Sequence, residues 1–227
     1  LAMSAGYSSN CPESRETLLT DVKEIGPTIF FGAPALWEGL LTTITIRMED
    51  AGRIKRSLFR YFIDVARRTG TDLLDGRPVG LANRLRYWFG EVIIYGPLKN
   101  SLGLSHTRLA VTGGAPLGED TFNFYRSIGI NLKQLYAQTE CSAYATLQRN
   151  GDARQDTVGP PCEGCEIRIA ESGEVLVKSP GNFVGYFKNP EATRETLTED
   201  GWLRTGDAGI MTDDGHLKVI DRASDVG

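Results

Sequence analysis

The chain has 227 residues, 41% of them hydrophobic and 24% charged, with a net charge of −4, so it can bury the core of one large or two smaller domains. It has no run approaching the roughly eighteen apolar residues of a membrane span and no signal-peptide pattern, which favours the cytoplasm. Four cysteines are too few for a disulfide scaffold, and the basic-and-aromatic pattern of a nucleic-acid module is missing, so we expect no nucleic-acid partner.

The first predicted elements are a strand and a helix. Apolar residues run through Pro27–Gly32, which predicts a strand. Pro34 then opens a helix in which Trp37, Leu40 and Ile44 recur at three- and four-residue spacing. The chain therefore starts with α/β patterning.

The helical region that follows, up to about residue 102, is basic. Residues 51–100 contain ten Lys and Arg against four Asp and Glu, a balance of +6, whereas residues 151–227 contain eight against fifteen, a balance of −7. We expect turns at Gly70, at Asp75–Pro78 and at Gly96-Pro97. An apolar stripe also runs along one predicted helix face, formed by Ile54, Leu58, Tyr61, Phe62 and Val65. Either this helix attracts a membrane surface or an acidic ligand, or it packs on its own domain with a solvated basic back, which is the commoner case.

A strand–helix–strand unit occupies the middle of the chain. Arg108–Thr112 and Ile130–Tyr136 are predicted strands, and Leu117–Ile128 is a predicted helix that stops at Gly129. A crossover of this kind makes the two strands parallel and puts their carboxyl ends on the same edge of the sheet. Open α/β sheets bind ligands at that edge.

Short alternating strands follow residue 158. Two hairpins are predicted, one around the turn Glu171-Ser172-Gly173 and one around Asp213-Asp214-Gly215. We therefore divide the chain into an α/β subdomain with a helical insert, residues 1–157, and a β-rich subdomain resembling a distorted barrel, residues 158–227.

Two segments at the predicted sheet edge carry candidate binding residues. Gly113, Gly114 and Ala115 would let a flat ring lie against the main chain, although glycines after a strand are more often simple turns. In the segment after the second strand, Tyr136 can stack on a base, Thr139 can donate to a phosphate oxygen and Glu140 can hold Mg²⁺. The alternative is a core tyrosine followed by two helix-capping residues.

Two further candidates lie in the β-rich part. Asp207 follows a glycine in a predicted loop, where its carboxylate can accept hydrogen bonds from ribose hydroxyls, and Arg222 can reach a ribose or a phosphate. The alternatives are a turn aspartate and a surface ion pair. With His106 and His216 as the only histidines, a Ser-His-Asp enzyme is not indicated, and neither a P-loop nor a Rossmann fingerprint is present.

Taken together and in order, five segments of this chain resemble the adenylate-forming (AMP-binding) superfamily, most of all its long-chain fatty-acyl-CoA synthetases. The segments are Thr112–Leu117, Tyr136–Glu140, Gly173–Val177 with Gly185-Tyr186, Gly201–Asp207 and Asp221-Arg222. The resemblance implies part of the large N-terminal domain of that fold. It also implies a reaction in which a fatty carboxylate attacks the α-phosphate of ATP and the thiol of coenzyme A then displaces AMP.

The resemblance also implies roles for matching positions. Gly113, Gly114 and Ala115 would line the adenine, and Tyr136 would stack on it. The catalytic positions would be Thr139, at the α-phosphate, and Glu140, at Mg²⁺. Asp207 would hold the ribose hydroxyls, and Arg222 would contact the ribose near a hinge, where Ala223-Ser224 replace the family's usual lysines.

Several alternatives stay open from the sequence. The acceptor can be coenzyme A, or the chain can belong to an acyl-AMP ligase or an adenylation domain that loads another acceptor. The family's phosphate loop and lysine-bearing lid would lie outside residues 1–227, so we expect this chain alone to be an inactive core of a full-length enzyme. A non-catalytic nucleotide-binding fragment, or one associated with the inner face of a membrane, is the second hypothesis. Chain length of the substrate and oligomeric state have no sequence signature here.

Overall fold

Helices dominate the first half of the chain and strands the second. The helices are α1 (Leu18–Ile25), α2 (Pro34–Glu49), α3 (Arg53–Leu74), α4 (Leu81–Gly90), α5 (Gly96–Ser101), α6 (Glu119–Ser127) and α7 (Pro190–Thr196). The strands are β1 (Ile29–Phe31), β2 (Leu109–Thr112), β3 (Leu132–Tyr136), β4 (Thr146–Leu147), β5 (Glu166–Ile169), β6 (Glu174–Lys178), β7 (Leu203–Met211) and β8 (Leu217–Arg222). A π-helical turn, Glu91–Tyr95, precedes α5, and a 3-10 turn covers Thr139–Cys141.

These elements come from a computed structural model that describes residues 6–14 and 16–222. Ala223 and Ser224, at the predicted hinge, lie outside the described residues. The chain divides into two compact units. One contains the chain up to Phe30 together with Leu40–Ala110 and Phe124–Asn131, and the other contains Phe31–Gly39, Val111–Asn123 and the chain from Leu132. None of the described helices combines the length and the apolar character that crossing a bilayer requires.

The predicted strand–helix–strand unit is confirmed. A four-stranded sheet has the order β1-β2-β3-β4, so β2 and β3 are neighbours, and α6 connects them along the chain. Glu119 and Asp120 lie in the first turn of α6 and Arg126 in its last, which complements the helix dipole. The helix ends before Gly129, whose φ of 87° lies outside the right-handed helical region.

A second sheet, with the order β5-β6-β7-β8, is antiparallel throughout. Both predicted hairpins are confirmed, because Ile169 pairs with Val175 in the first and Met211 with Leu217 in the second. Alternate residues of these strands fill one core. Its fully buried members are Cys141, Ala145, Val175, Val177, Leu203 and Leu217. The strands of the first sheet precede residue 158 and those of the second follow it. The subdomain boundary at that residue stays a prediction.

Two turns predicted in the helical region are wrong. Helix α3 continues through Gly70. A Cβ atom at this position would lie 1.7 Å from the carbonyl oxygen of Ser127, so glycine is present to permit close packing of the two backbones and not to form a turn. Gly96-Pro97 begins α5, where the missing N–H of proline breaks no helical hydrogen bond. The turn at Asp75–Pro78 is confirmed, since α3 ends at Leu74 and Gly76 has a φ of 72°.

The apolar stripe of α3 is divided between two faces. Phe62 is buried together with Ile63 and Ala66, as a core-facing stripe requires. In contrast, Ile54, Leu58 and Tyr61 are exposed, so the expectation that the whole stripe packs on its own domain is wrong. A 3.6-residue period places these side chains on a neighbouring face of the helix.

The two helix-interior glycines Gly70 and Gly39 should respond oppositely to alanine. Gly70→Ala must displace the backbone at Ser127 and should lower the free energy of unfolding by more than about 1 kcal/mol. Gly39 lies in α2, and a Cβ atom there meets open space, so Gly39→Ala should raise stability by about 0.5–1 kcal/mol. Urea denaturation of both variants measures this, and equal stability of the two would contradict the close packing at Gly70.

Candidate functional site

A cavity of about 450 Å³ lies at the carboxyl ends of the strands, and we call it the strand-edge cavity. Its walls come from residues 112–117 after β2, 134–138 at the end of β3, 155–158, and 218–222 of β8, with Asp207 of β7. The predicted site residues that line it are Gly113, Gly114, Ala115, Tyr136, Asp207 and Arg222. The fold therefore brings together residues that are more than one hundred positions apart in sequence.

The glycine segment forms a wall made of main chain. A Cβ atom on Gly113 would lie 2.7 Å from Cδ1 of Leu135 and 3.0 Å from its carbonyl oxygen. Gly114 has a φ of 89°, a conformation that side chains with a Cβ atom rarely adopt. Both positions therefore require glycine, and the backbone here can approach a flat ligand closely.

Asp207 lies within β7 and not in the loop that the sequence suggested, which corrects that prediction. Gly206 has a φ of 69°, and β7 advances from Arg204 to Ala208 while its partner β6 advances only from Leu176 to Glu174, so β7 is bulged at this point. The glycines that resembled a loop are thus part of an irregular strand. The register places Asp207 directly opposite Arg222 of β8.

The carboxylate of Asp207 accepts hydrogen bonds from two side chains and forms an ion pair with a third. The Tyr136 hydroxyl donates to Oδ2 at 2.6 Å, and Nε2 of Gln138 donates to the same oxygen at 2.8 Å. Arg222 lies 3.0 Å from Oδ1, and the Asp207 side chain is only 14% exposed. A carboxylate has about four acceptor positions. These contacts therefore fix the orientation of this group, and Oδ1, which among the described residues only Arg222 contacts, keeps acceptor capacity for a ligand.

Tyr136 is held by this carboxylate and by its surroundings. Burial, together with its hydrogen bond to Asp207, raises the pKa of the Tyr136 phenol well above its ordinary value. The phenol is therefore protonated at neutral pH and acts as a donor to Asp207. Its ring position is set by this bond as well as by packing against the second-sheet core.

Thr139 and Glu140 do not line the strand-edge cavity. They border a neighbouring, more open cavity of about 690 Å³, which we call the glutamate cavity. Gln138 and Arg222 line both cavities, so the two are adjacent. The predicted site is thus split between two cavities: Gly113, Gly114, Ala115, Tyr136 and Asp207 line the first, and Thr139 and Glu140 line the second.

Glu140 is the predicted metal ligand. The Tyr186 hydroxyl donates to its Oε1 at 2.8 Å, and this bond raises the pKa of Tyr186. Within the described residues, no group of three or more His, Cys, Asp or Glu side chains is arranged to hold a metal ion. A single carboxylate nevertheless fits Mg²⁺, which keeps several waters and is commonly held by one or two protein carboxylates plus substrate phosphates.

Sequence reasoning missed the role of Gln138. Its amide donates to Asp207 and, at 2.8 Å, to the carbonyl oxygen of Thr205, so it joins the end of β3 to β7. Its place within the segment Tyr136–Glu140 was the only signal available. The carboxylate of Asp221 accepts a hydrogen bond from the Arg222 backbone N–H at 2.8 Å, whereas the Arg222 side chain pairs with Asp207.

Comparison with known proteins gives concordant matches. A sequence profile described as AMP-binding enzyme matches residues 1–187. The long-chain-fatty-acid–CoA ligase FadD15 of Mycobacterium bovis is 32% identical over 99% of this chain and 36% of its own length. The peroxisomal long chain acyl-CoA synthetase 7 of Arabidopsis thaliana is 30% identical over 92% of this chain and 30% of its own length. The chain thus spans about a third of the length of these curated relatives.

Solved structures agree on the fold. A malonyl-CoA ligase in a ternary product complex with methylmalonyl-CoA and AMP superposes with a TM-score of 0.57 over 92% of this chain and 36% of its own, at 24% identity. The N-terminal domain of FACL13 from Mycobacterium tuberculosis superposes with a TM-score of 0.56 over 90% of this chain and 41% of its own, at 22% identity. These likenesses confirm the predicted α/β fold class.

Proposed function

Because the chain belongs to the AMP-binding enzyme family, we propose that it supplies the adenosine-binding part of a long-chain fatty-acid–CoA ligase. The observation that carries the proposal is the strand-edge cavity, where Gly113, Gly114, Ala115, Tyr136, Asp207 and Arg222 line one space. The substrates would be ATP, a fatty acid and coenzyme A. The names of the relatives support a long-chain substrate.

Each group in the strand-edge cavity has a role in binding AMP. The backbone at Gly113–Ala115 forms one face for the adenine, and the ring of Tyr136 stacks on the base. Asp207 accepts from the ribose hydroxyls, and Arg222 pairs with its carboxylate and orients it. Tyr136 and Gln138 already fix this carboxylate in the free protein, so AMP binding costs little conformational entropy at Asp207.

The glutamate cavity would then hold the phosphates. Thr139 would donate its hydroxyl to the α-phosphate, and Glu140 would hold Mg²⁺, which would supply neutralising charge when bound. Fatty carboxylates are ionised at neutral pH, so the reaction needs no general base. The task of these residues is alignment of the attacking oxygen and electrostatic stabilisation.

Asp207→Ala should abolish most AMP binding. A hydrogen bond to a charged group contributes about 1.5–3 kcal/mol, so the Kd measured by titration calorimetry should rise by about tenfold to one-hundredfold. Asp200→Ala is the matched control, because Asp200 is an exposed carboxylate that bonds to Thr198 and lines neither cavity. Equal AMP affinity in the two variants would refute the ribose role of Asp207.

The reaction is tested on the full-length enzyme. We expect fatty-acid-dependent exchange of labelled pyrophosphate into ATP, followed by acyl-CoA formation when coenzyme A is added. Acyl-adenylate that accumulates without thioester would instead favour an acyl-AMP ligase or a domain that loads another acceptor. Residues 1–227 alone should turn over little, because the phosphate loop and the lid contribute transition-state contacts. Robust acyl-CoA formation by residues 1–227 alone would contradict the expectation that the phosphate loop and the lid are needed for turnover.

A second proposal concerns helices α3 and α4, which lie in the compact unit that contains Leu40–Ala110. Ile54, Leu58 and Tyr61 are exposed on α3 at positions i, i+4 and i+7, and basic residues lie beside them in sequence. Leu81, Leu85 and Trp88 repeat that spacing on α4 and are also exposed. Apolar side chains flanked by Lys and Arg suit an anionic lipid surface, so we propose peripheral membrane association through α3.

Vesicle sedimentation tests this association. The chain should bind vesicles that contain phosphatidylserine and should not bind neutral ones. Replacing Arg53, Lys55 and Arg60 by Gln should weaken binding by about one-hundredfold, since each basic residue contributes about 1 kcal/mol. Arg194→Gln, in the other compact unit, is the control. Binding that ignores lipid charge, or no binding, would contradict this proposal.

A further inference from the structure

One wall of the strand-edge cavity is a loop with no regular hydrogen-bonded structure of its own. This wall loop comprises residues 152–158, and its residues 155–158 line the cavity. A loop that bounds a ligand site needs a defined conformation, or the ligand must order it on binding and lose affinity. Buried side chains from other segments hold the wall loop in a defined conformation.

Two buried glutamine side chains hold the main chain of the wall loop. Nε2 of Gln134 donates to the carbonyl oxygens of Arg154, Gln155 and Thr157 at 3.1, 2.9 and 3.1 Å. Nε2 of Gln148 donates to those of Arg154 and Thr157 at 2.5 and 2.7 Å. Oε1 of Gln148 in turn accepts from the backbone N–H of Gln134 at 2.9 Å. The loop carbonyls are therefore satisfied by β3 and by the residue after β4.

His216 holds the same loop from the opposite side. Its Nδ1 lies 3.0 Å from the Thr157 hydroxyl, its Nε2 lies 2.8 Å from Oδ2 of Asp152, and its ring is 1% exposed. Arg154 bonds to Asp152 at 2.9 Å and also to Asp214 in the β7–β8 turn. Backbone bonds join Val158 to Leu217 and Leu217 to Gly159, each at 2.9 Å.

The position of His216 directly before β8 links these contacts to the cavity. The strand that follows it contributes residues 218–222 to the cavity wall. Gln148 and His216 do not line it themselves. They therefore act on the cavity through the loop, by connecting β3 on one side to β8 on the other.

We propose that Gln148 and His216 are positioning residues of the nucleotide site, which fix the wall loop before the ligand arrives. This inference rests on the proposed AMP site and adds residues to it. A loop fixed in advance costs no ordering on binding, so loosening it should raise the Kd for AMP even though no ligand contact is removed. A purely structural role would lower stability and leave the affinity of the folded protein unchanged.

The test compares AMP affinity with stability in one set of variants of the chain. Gln148→Leu and His216→Phe keep volume and remove the loop bonds, and Thr157→Val removes a hydroxyl that Thr157→Ser restores. The control is Ile167→Ala in β5, which packs against the second-sheet core and lies outside both cavities. Calorimetry with AMP gives the Kd, and thermal unfolding gives the melting temperature.

We expect Gln148→Leu, His216→Phe and Thr157→Val to raise the Kd roughly five- to tenfold, as loss of one or two neutral hydrogen bonds implies. Thr157→Ser and Ile167→Ala should stay within about twofold of the wild type, although the melting temperature of Ile167→Ala falls. If either Gln148→Leu or His216→Phe does not fold, the other decides, and His216→Asn serves if neither folds, because Gln148 and His216 do not line the cavity whereas Thr157 does.

Three results would overturn the inference. Unchanged affinity in the folded loop variants would overturn it while leaving the AMP site intact. If Ile167→Ala raises the Kd for AMP as much as the loop variants do, the effect of the loop variants is general destabilisation and not loss of a positioned loop. A wild-type chain that does not bind AMP would overturn the proposed function itself, and this inference with it.

Discussion

The carboxylate of Asp207 is the group on which the site depends. Its side chain is 14% exposed, and a buried charge is tolerated only when donors compensate for the lost water. Tyr136, Gln138 and Arg222 supply those donors from the end of β3, the segment after it and the end of β8. Satisfying one carboxylate therefore fixes the relative positions of three elements, and the strand-edge cavity is the space they enclose.

The predicted site residues lie in two adjacent cavities, and the flat main-chain wall belongs to only one of them. Glycines at 113 and 114 keep one wall free of side chains, while Glu140 and Tyr186 lie in the neighbouring cavity. Gln138 and Arg222 border both. A ligand with a flat apolar end and an anionic end matches this division, and a nucleoside phosphate is such a ligand.

Local sequence patterns predicted the elements, and tertiary contacts explain what they missed. The β2–α6–β3 unit and both hairpins follow from periodicity and turn residues, which act within a few positions. Gly70 was expected to interrupt a helix, and only its approach to Ser127 explains why it does not. Asp207 was expected in a loop, because a bulged strand with Gly206 has the composition of a turn.

Family resemblance supplied the residues at the centre of the cavity, but not the residues that hold its wall. Gln134, Gln148 and His216 carry no pattern that marks them, and their partners on the wall loop follow only from the fold. An amide or an imidazole becomes informative when burial and the identity of its partner are known. Residues of this kind are accessible to structure and not to sequence spacing.

The central claim is that the strand-edge cavity receives the adenosine of a nucleotide, and a crystal structure of the chain with AMP tests it most directly. We predict the adenine between the backbone of Gly113–Ala115 and the ring of Tyr136, with a ribose hydroxyl within hydrogen-bond distance of Asp207. The phosphate should point toward Thr139 and Glu140. AMP bound at another surface, or with its ribose away from Asp207, would contradict the account.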